Sequence, residues 1–198
     1  MLDSIGSSNI FQGNLTSFTS DRFGCPNSAL NLNGGWTQVP NGIYFETPEF
    51  TIASWVLLEK PQVDWGARLL DFGNGAFADN IIISFKLGAL IQPAFQLYSG
   101  PLLSISTTSS QTLSLNQWQF LAITFNRTHL YIYLDGELTS KAQFAYTIPA
   151  LSRSKCYFGR SNWAIDGYSS SYLDDIRFYS KSLTQNEIIQ VMNDNSTG

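Results

Sequence analysis

The chain has 198 residues, 43% of them hydrophobic, so we expect one domain with a sizeable core and not a disordered chain. Charged residues make up only 13% and the formal net charge is −4, which excludes the basic patch that nucleic acids and anionic membranes require. Aromatic residues make up 14%, which favours a surface that meets a neutral polar ligand or another protein. No apolar stretch approaches the roughly 18 residues of a membrane span, so no membrane insertion is expected.

The first part of the chain, residues 1–20, is rich in Ser, Asn, Gly and Thr and predicts a lead-in strand or linker. Beyond it, apolar residues recur with the period of two that is typical of β-strands. The predicted strands are 29–33, 50–58, 67–72, 80–87, 94–98, 102–107, 118–125, 129–134, 137–139, 155–160 and 171–179. Breaks of Gly, Pro, Asn and Ser separate them, a pattern that predicts two packed antiparallel sheets.

Two local signals fix the ends of elements near the C-terminus. Asp135-Gly136 is typical of a tight hairpin turn. Thr184 and Glu187 are spaced as a capping box, which predicts the start of one short helix. Residues 193–198 read as the start of a linker.

Two tryptophans, Trp55 and Trp118, stand inside predicted strands. We therefore expect both in the core between the sheets. Trp36, near the start of the chain, is also expected to pack.

The two cysteines, Cys25 and Cys156, are far apart in sequence and form no metal-binding pair. They either form one long-range disulfide or remain two buried free thiols. Glycosylation sequons occur at Asn14, Asn126 and Asn195. Together these features favour an extracellular domain.

Taken in order, the segments resemble the LamG-like jellyroll family, the laminin G-type branch of the concanavalin A-like lectin/glucanase superfamily. The matching segments are 21–24, 29–34, 50–56, 118–125, 130–137, 157–161, 167–168, 172–179 and the helix cap at 183–188. The resemblance covers residues 21–192, which we take as the domain. It implies an all-β, two-sheet antiparallel jelly-roll sandwich with a short C-terminal helix. It also implies a module for carbohydrate or protein recognition outside cells, sometimes with one bound calcium.

No enzyme is expected. Glucanases of the superfamily carry acidic residues at alternate positions of one strand, and hydrolysis of the retaining type needs two carboxyls about 5 Å apart. No such run occurs in this sequence. The one histidine, His129, stands beside a predicted turn, which argues against a catalytic triad. A single histidine is also too few for a histidine-based zinc site.

A calcium site is one interpretation of Asp174. Alternation along its strand places Asp174 on the face shared by Ile176 and Phe178, and a bare carboxylate facing a core needs a cation or several donors. Calcium held with Asp21 and oxygens near Asn33 would meet that need. The alternative is a pairing of Asp174 with an arginine. The acidic, Gly-rich loop at 71–80 is a second calcium candidate, with an ordinary turn as its alternative.

Ligand binding is expected at two loops that mix aromatic rings with polar groups, because sugar C–H faces stack on rings while hydroxyls need polar partners. The candidate residues are Asp64, Trp65, Trp163, Asp166 and Tyr168, with simple packing of the tryptophans as the alternative. The sequence thus predicts a non-catalytic module of a larger surface or secreted protein, which binds a glycan or glycosylated partner and contacts other domains of its parent chain. The alternative is a protein–protein adhesion or architectural domain without sugar binding.

Overall fold

The structure is a computed structural model that describes residues 12–62, 66–85, 90–144 and 147–194. Within these ranges the elements are β1 (Gln12–Asn14), β2 (Ser17–Thr19), β3 (Ala29–Asn31), β4 (Trp36–Gln38), β5 (Phe50–Leu57), β6 (Arg68–Gly73), β7 (Ile81–Ser84), β8 (Ala94–Ser99), β9 (Leu102–Thr108), β10 (Gln119–Phe125), β11 (His129–Leu134), β12 (Glu137–Gln143), β13 (Lys155–Phe158), β14 (Tyr172–Tyr179) and α1 (Gln185–Met192).

The described strands form two antiparallel sheets of seven strands each. The first sheet has the order β1-β4-β13-β6-β7-β8-β9, and the second has the order β12-β11-β10-β5-β14-β3-β2. This architecture confirms the predicted all-β jelly-roll sandwich with one short C-terminal helix. Strands β1, β2 and β4 were not predicted individually, because three residues are too few for a period of two to show.

The main core lies between the two sheets and is built from the alternate residues that face inward. In the second sheet Ile52, Ile123 and Ile132 lie opposite one another across β5, β10 and β11, and all three are buried. In the first sheet Phe72 and Phe158 fill the facing layer, with ring centroids 5.6 Å apart. Burial of each such side chain contributes roughly 1.5–3 kcal/mol.

The C-terminal helix packs on the outer face of the second sheet. Its capping box is confirmed: the Thr184 N–H donates to the Glu187 carboxylate at 2.8 Å, and the Glu187 N–H donates to Thr184 Oγ1 at 3.3 Å. Ile188 is buried against Ala53 and Phe120, so the helix covers a second apolar cluster. The predicted Asp135-Gly136 turn is also confirmed, with φ angles of 50° and 80°.

The prediction that Trp55 and Trp118 belong to the main core is wrong. Both are half-buried, and Trp55 lies on the outer face of the second sheet with Phe120. The physical reason is the helix, because a strand covered on both faces is apolar on both faces. The sequence of such a strand therefore does not show whether a tryptophan lies on its inner or its outer face.

The edge strands of the two sheets are connected differently on the two sides of the sandwich. On one side β9 and β12 are joined across the sheets, and Thr107 and Ser140 form a hydrogen bond of 2.7 Å. On the other side a single stretch, residues 12–19, supplies the edge strand β1 of the first sheet and the edge strand β2 of the second. No helix within the described ranges is long and apolar enough to cross a membrane.

Gly159, directly after β13, is predicted to tolerate no side chain. Its φ is +78°, and a Cβ at this position would lie 2.7 Å from the carbonyl oxygen of Gly35. Gly159→Ala should therefore lower the free energy of unfolding by the left-handed strain of roughly 1–2 kcal/mol plus the cost of moving that backbone. Chemical denaturation measures the loss.

Gly24→Ala is the matched control, since Gly24 has a φ of +85° but open space where its Cβ would stand. Gly24→Ala introduces the strain of a left-handed backbone but no steric contact of the new Cβ. Equal losses in the two variants would contradict the predicted close approach of Gly159 to Gly35.

Candidate functional site

A loop formed by residues 159–170 crosses the outer face of the first sheet, and a buried carboxylate holds it there. Leu70 and Phe72 face the core, so Asp71 between them points to the outer face. Asp71 is fully buried; its Oδ2 accepts the Asn162 N–H at 2.8 Å, and its Oδ1 accepts the side-chain amides of Asn162 and Asn80 at 2.9 and 2.8 Å. The loop is therefore tied to the middle of the sheet.

Burial also changes the chemistry of this carboxyl. Removal from water raises the pKa of Asp71 above its ordinary value, although hydrogen bonds from Asn162 and Asn80 favour the ionised form and lower it. The charge of Arg68 lowers the pKa as well, but burial is the larger effect. Asp71 thus acts as a structural anchor of the loop.

The predicted ligand residue Asp166 lies in the same loop and is engaged by the protein itself. Its Oδ2 accepts hydrogen bonds from the Arg68 guanidinium at 3.0 Å and from the Ser161 hydroxyl at 2.7 Å. Asp166 also lies directly against Gly66, where any Cβ would overlap it. The loop containing Asp166 therefore meets the segment that begins at Gly66.

The most prominent surface feature of this region is a set of three rings, Phe77, Tyr98 and Trp163, which we call the aromatic cluster. The Trp163 ring centroid lies 5.0 Å from that of Phe77 and 5.2 Å from that of Tyr98. Phe77 is 52% exposed and has a φ of +56°, an unusual conformation for a bulky residue. Such strain persists only where surrounding structure enforces it, and it concentrates at binding sites.

The other predicted ligand residues divide into two groups. Tyr168, near the end of the loop, is 42% exposed, and Ile165 in the same loop is 89% exposed. Asp64 and Trp65 lie outside the described residues, so their predicted roles stay predictions. The structure thus brings Trp163 and Asp166 to one surface and leaves Tyr168 exposed on the same loop.

Sequence reasoning missed Phe77 and Tyr98. Phe77 lies inside the Gly-rich loop at 71–80, which was interpreted as a turn or a calcium candidate, and Tyr98 has the pattern of an ordinary strand residue. An aromatic residue inside a turn of Gly and Asn is the one signal that could have identified Phe77.

Two of the predicted calcium ligands, Asp174 and Asp21, are engaged by groups of the protein itself. The Asp174 carboxylate pairs with the Arg22 guanidinium at 2.5 Å, which is the alternative that the sequence left open. Asp21 Oδ1 accepts the backbone N–H groups of Phe23 and Cys25, both at 2.8 Å. Among the described residues no three His, Cys, Asp or Glu side chains are grouped to hold a metal. Arg22 thus supplies the positive charge beside Asp174, and calcium binding stays a prediction.

A β-bulge explains why alternation misplaced Asp174. Asp175 has a φ of +53°, and the register of β14 against β5 shifts between Asp174 and Arg177. Leu173 faces the core, so Asp174 lies on the outer face, opposite Trp55. Burial raises the pKa of Asp174, while the hydrogen bond and charge of Arg22 lower it.

Both cysteines are free thiols, which does not support the disulfide alternative, and the alternative of two buried thiols holds only for Cys156. Cys25 is exposed and Cys156 is buried in the core, where burial raises the pKa of its thiol to about 12. Of the sequons, Asn14 is exposed and Asn126 is half-buried, with its side-chain oxygen accepting the His129 N–H at 2.9 Å. Asn195 lies outside the described residues, and glycosylation stays a prediction.

A separate pocket opens on the outer face of the second sheet. Its volume is about 330 Å³. The residues that line it are Arg22, Phe23, Trp55, Trp118, Met192 and Asn193. Sequence reasoning missed this pocket because it assigned both tryptophans to the core.

Comparison with known proteins agrees with this architecture. Residues 31–189 match the family model described as the concanavalin A-like lectin/glucanases superfamily. No curated protein sequence matches the chain. Domain 4 of AbnA, a GH43 extracellular arabinanase from Geobacillus stearothermophilus in complex with arabinotriose, has a TM-score of 0.68 at 17% identity, with 96% of this chain and 91% of that chain covered.

Two toxin domains have a similar fold. The binding domain of botulinum neurotoxin serotype G has a TM-score of 0.69 at 15% identity, with 96% of this chain and 47% of that chain covered. The binding domain of Paraclostridial Mosquitocidal Protein 1 has a TM-score of 0.67 at 19% identity, with 94% and 47% covered. This chain thus spans about half of each toxin domain, and at these identities the likeness shows the fold alone.

Asp71→Asn should change the pH dependence of stability. Because the folded pKa of Asp71 is raised, the native state binds this proton more tightly than the unfolded state, and the contribution of Asp71 to wild-type stability falls as pH rises above about 4. The variant lacks this titration, so its free energy of unfolding relative to wild type should increase with pH. Urea denaturation across the acidic range measures the difference.

Glu46→Gln, at an exposed carboxylate, is the control for the loss of one negative charge. A difference between Asp71→Asn and wild type that stays constant with pH, or shrinks, would contradict the raised pKa of Asp71.

Calcium and a chelator should leave the thermal unfolding midpoint unchanged, because Arg22 already supplies the positive charge beside Asp174. A ligand that binds the native state raises this midpoint. Differential scanning calorimetry with either additive is the measurement. A midpoint that rises with calcium and falls with the chelator would restore the calcium hypothesis.

Proposed function

Because this chain belongs to the concanavalin A-like lectin/glucanase superfamily, we propose that it is a non-catalytic recognition module that binds a carbohydrate or glycosylated partner at the aromatic cluster. The observation that carries the proposal is the meeting of Phe77, Tyr98 and Trp163 from three separate chain segments on one surface. The half-exposed ring of Phe77 is held in a strained backbone conformation beside Trp163.

The chemistry of the surroundings supports a sugar as the ligand. Sugar rings present apolar C–H faces that pack on aromatic rings, and their hydroxyls pair with nearby polar side chains. Asp166 and Arg68 lie beside the cluster, with the Arg68 guanidinium carbon 6.0 Å from the Trp163 ring centroid. Their charges compensate each other, so the surface suits a neutral ligand.

The carboxylates near the cluster support binding without hydrolysis. Asp71 is fully buried among amide donors, and Asp166 is paired with Arg68. Hydrolysis by a carboxyl pair needs one free base or nucleophile and one proton donor facing the substrate. Neither of these two carboxylates is available in that form, and one oxygen of a third, Asp79, accepts the Gly100 N–H at 2.7 Å.

The arabinanase domain of similar fold suggests an extracellular oligosaccharide as the first ligand to test. The arabinanase domain of similar fold is part of an extracellular enzyme and holds arabinotriose. We carry both features to this chain as part of the proposal, with arabinotriose as the first probe and an extracellular location as the setting.

One observation favours a second candidate, a protein–protein adhesion or architectural surface. Ile165, two residues after Trp163 in the chain, is 89% exposed, and Phe77 and Tyr168 are 52% and 42% exposed. An apolar patch of this kind is typical of a surface that another protein covers. Competition by free sugar separates the two candidates, since only the first predicts that sugar displaces the partner.

Glycan-array binding of the 198-residue protein, followed by calorimetric titration with arabinotriose and the strongest array ligand, tests the proposal. Trp163→Ala and Phe77→Ala should each weaken binding about tenfold, because loss of one stacked ring costs about 1.4 kcal/mol of binding free energy. Ile165→Ala is the matched control, since Ile165 stands in the same loop outside the aromatic cluster. It should leave the affinity unchanged.

Absence of glycan binding, with calcium and with chelator alike, would overturn the sugar-binding proposal. Equal weakening by Trp163→Ala and Ile165→Ala would move the binding surface away from the aromatic cluster.

A further inference from the structure

We propose that Arg153 is a positioning residue of the aromatic cluster, which holds Phe77 against Trp163 through the loop between β6 and β7. This loop, residues 74–80, is called the Phe77 loop below. Arg153 reaches it at Asp79, two residues after Phe77. The inference rests on the proposed role of the aromatic cluster in binding, but the contact that it explains is present without a ligand.

The Phe77 loop has a backbone shape that other parts of the protein must enforce. The φ angle is +56° at Phe77 and +57° at Asp79, so two residues other than glycine are in the left-handed region. The conformation is strained above all for a bulky residue such as Phe77, and such strain persists only where surrounding contacts enforce it. The result is a ring centroid 5.0 Å from that of Trp163.

The segment 152–154, just before β13, holds the first end of the Phe77 loop. The Asn74 side-chain amide donates to the carbonyl oxygen of Ser152 at 3.2 Å. The Asn74 side-chain oxygen accepts the N–H of Ser154 at 3.0 Å. One asparagine therefore ties the start of the loop to this segment.

The same segment holds the other end of the loop through Arg153. Its Nε donates to the carbonyl oxygen of Asp79 at 3.1 Å. The Asp79 N–H and carboxylate are bonded to Gly100 instead, at 3.3 and 2.7 Å. Arg153 is itself fixed, because its backbone exchanges two hydrogen bonds with Gly42, of 2.9 and 3.1 Å. Phe77 thus lies between two points of the loop that are anchored to one segment.

The environment of Arg153 is unfavourable for stability alone. The residue is fully buried, and its Nη1 and Nη2 have no hydrogen-bond partner in the described part of the chain. The guanidinium carbon lies 5.5 Å from the Phe45 ring centroid. Burial lowers the pKa of Arg153, although the charge of Asp79 raises it. A buried charge with unpaired donors is costly, and such local costs concentrate where a site needs a particular geometry.

Two substitutions of similar size separate the hydrogen bond from the rest of the side chain. Glutamine carries its amide nitrogen as many bonds from Cβ as arginine carries Nε, so Arg153→Gln keeps a donor for the Asp79 carbonyl oxygen. Methionine has a methyl group at that point, so Arg153→Met fills the space without a donor. Both variants remove the charge and the unpaired Nη groups.

Nuclear Overhauser effects between the Phe77 ring and the Trp163 indole, measured on the whole 198-residue protein, test the proposal. Arg153→Met should abolish these effects, and Arg153→Gln should retain them. The effects between Phe72 and Phe158, whose ring centroids are 5.6 Å apart in the core, should persist in both variants. Their persistence shows that the fold is intact.

Two comparisons complete the test. Arg127→Met is the matched control, since the side chain of Arg127 is 64% exposed, and this variant should leave the Phe77–Trp163 effects unchanged. In the wild-type protein, the Nε–H of Arg153 should exchange with solvent at least about tenfold more slowly than that of the half-buried Arg160, because a buried, bonded N–H exchanges only when the structure opens. This measurement needs no variant to fold.

Three results would overturn the inference. The first is full retention of the Phe77–Trp163 effects in folded Arg153→Met. The second is their loss in Arg153→Gln. The third is exchange of the wild-type Arg153 Nε–H as fast as that of Arg160.

None of these measurements uses a ligand, so a failure of the aromatic cluster to bind a glycan leaves them unaffected. Where a glycan does bind, Arg153→Met should weaken it as much as Phe77→Ala does. Unchanged glycan affinity in Arg153→Met, with the Phe77–Trp163 effects lost, would count against the binding site proposed above and not against the role of Arg153 in placing Phe77.

Discussion

The hydrogen-bonded anchoring of Asp71 is the interaction on which the candidate site depends. A carboxylate in the middle of a sheet face is costly unless donors surround it, and Asn162 and Asn80 supply them from two different segments. Asn162 begins the stretch that carries Trp163, and Asn80 ends the loop that carries Phe77. One buried charge therefore brings both aromatic side chains to the same place on the first sheet.

The two outer faces of the sandwich are covered in different ways. On the second sheet the helix α1 buries Ala53, Phe120 and Ala122, and a pocket remains where the helix ends. On the first sheet a loop without regular structure lies over Asp71 and leaves aromatic rings at the surface. A helix covers a sheet continuously, whereas a loop can present side chains to solvent while its backbone stays fixed.

Local patterns in the sequence predicted the long strands, the Asp135-Gly136 turn and the helix cap, since each depends on residues close in the chain. Alternation failed at Asp174 because a single residue in left-handed conformation, Asp175, reverses the faces that follow. It also failed at Trp55, because an outer face covered by a helix is as apolar as an inner one. Of the candidate site, Trp163 was predicted, but its contact with Phe77 joins residues 86 positions apart (163 − 77) and has no local signal.

The short stretch at residues 12–19 supplies an edge strand to each of the two sheets. Because β1 and β2 close one border of both sheets, the backbone groups of β4 and β3 are paired only while this stretch stays in place. Unpaired strand borders are templates for other chains to add to. Cleavage just after Thr19 would therefore separate β1 and β2 from the rest of the chain, and loss of the two strands would leave the borders of β4 and β3 open to strands of other molecules.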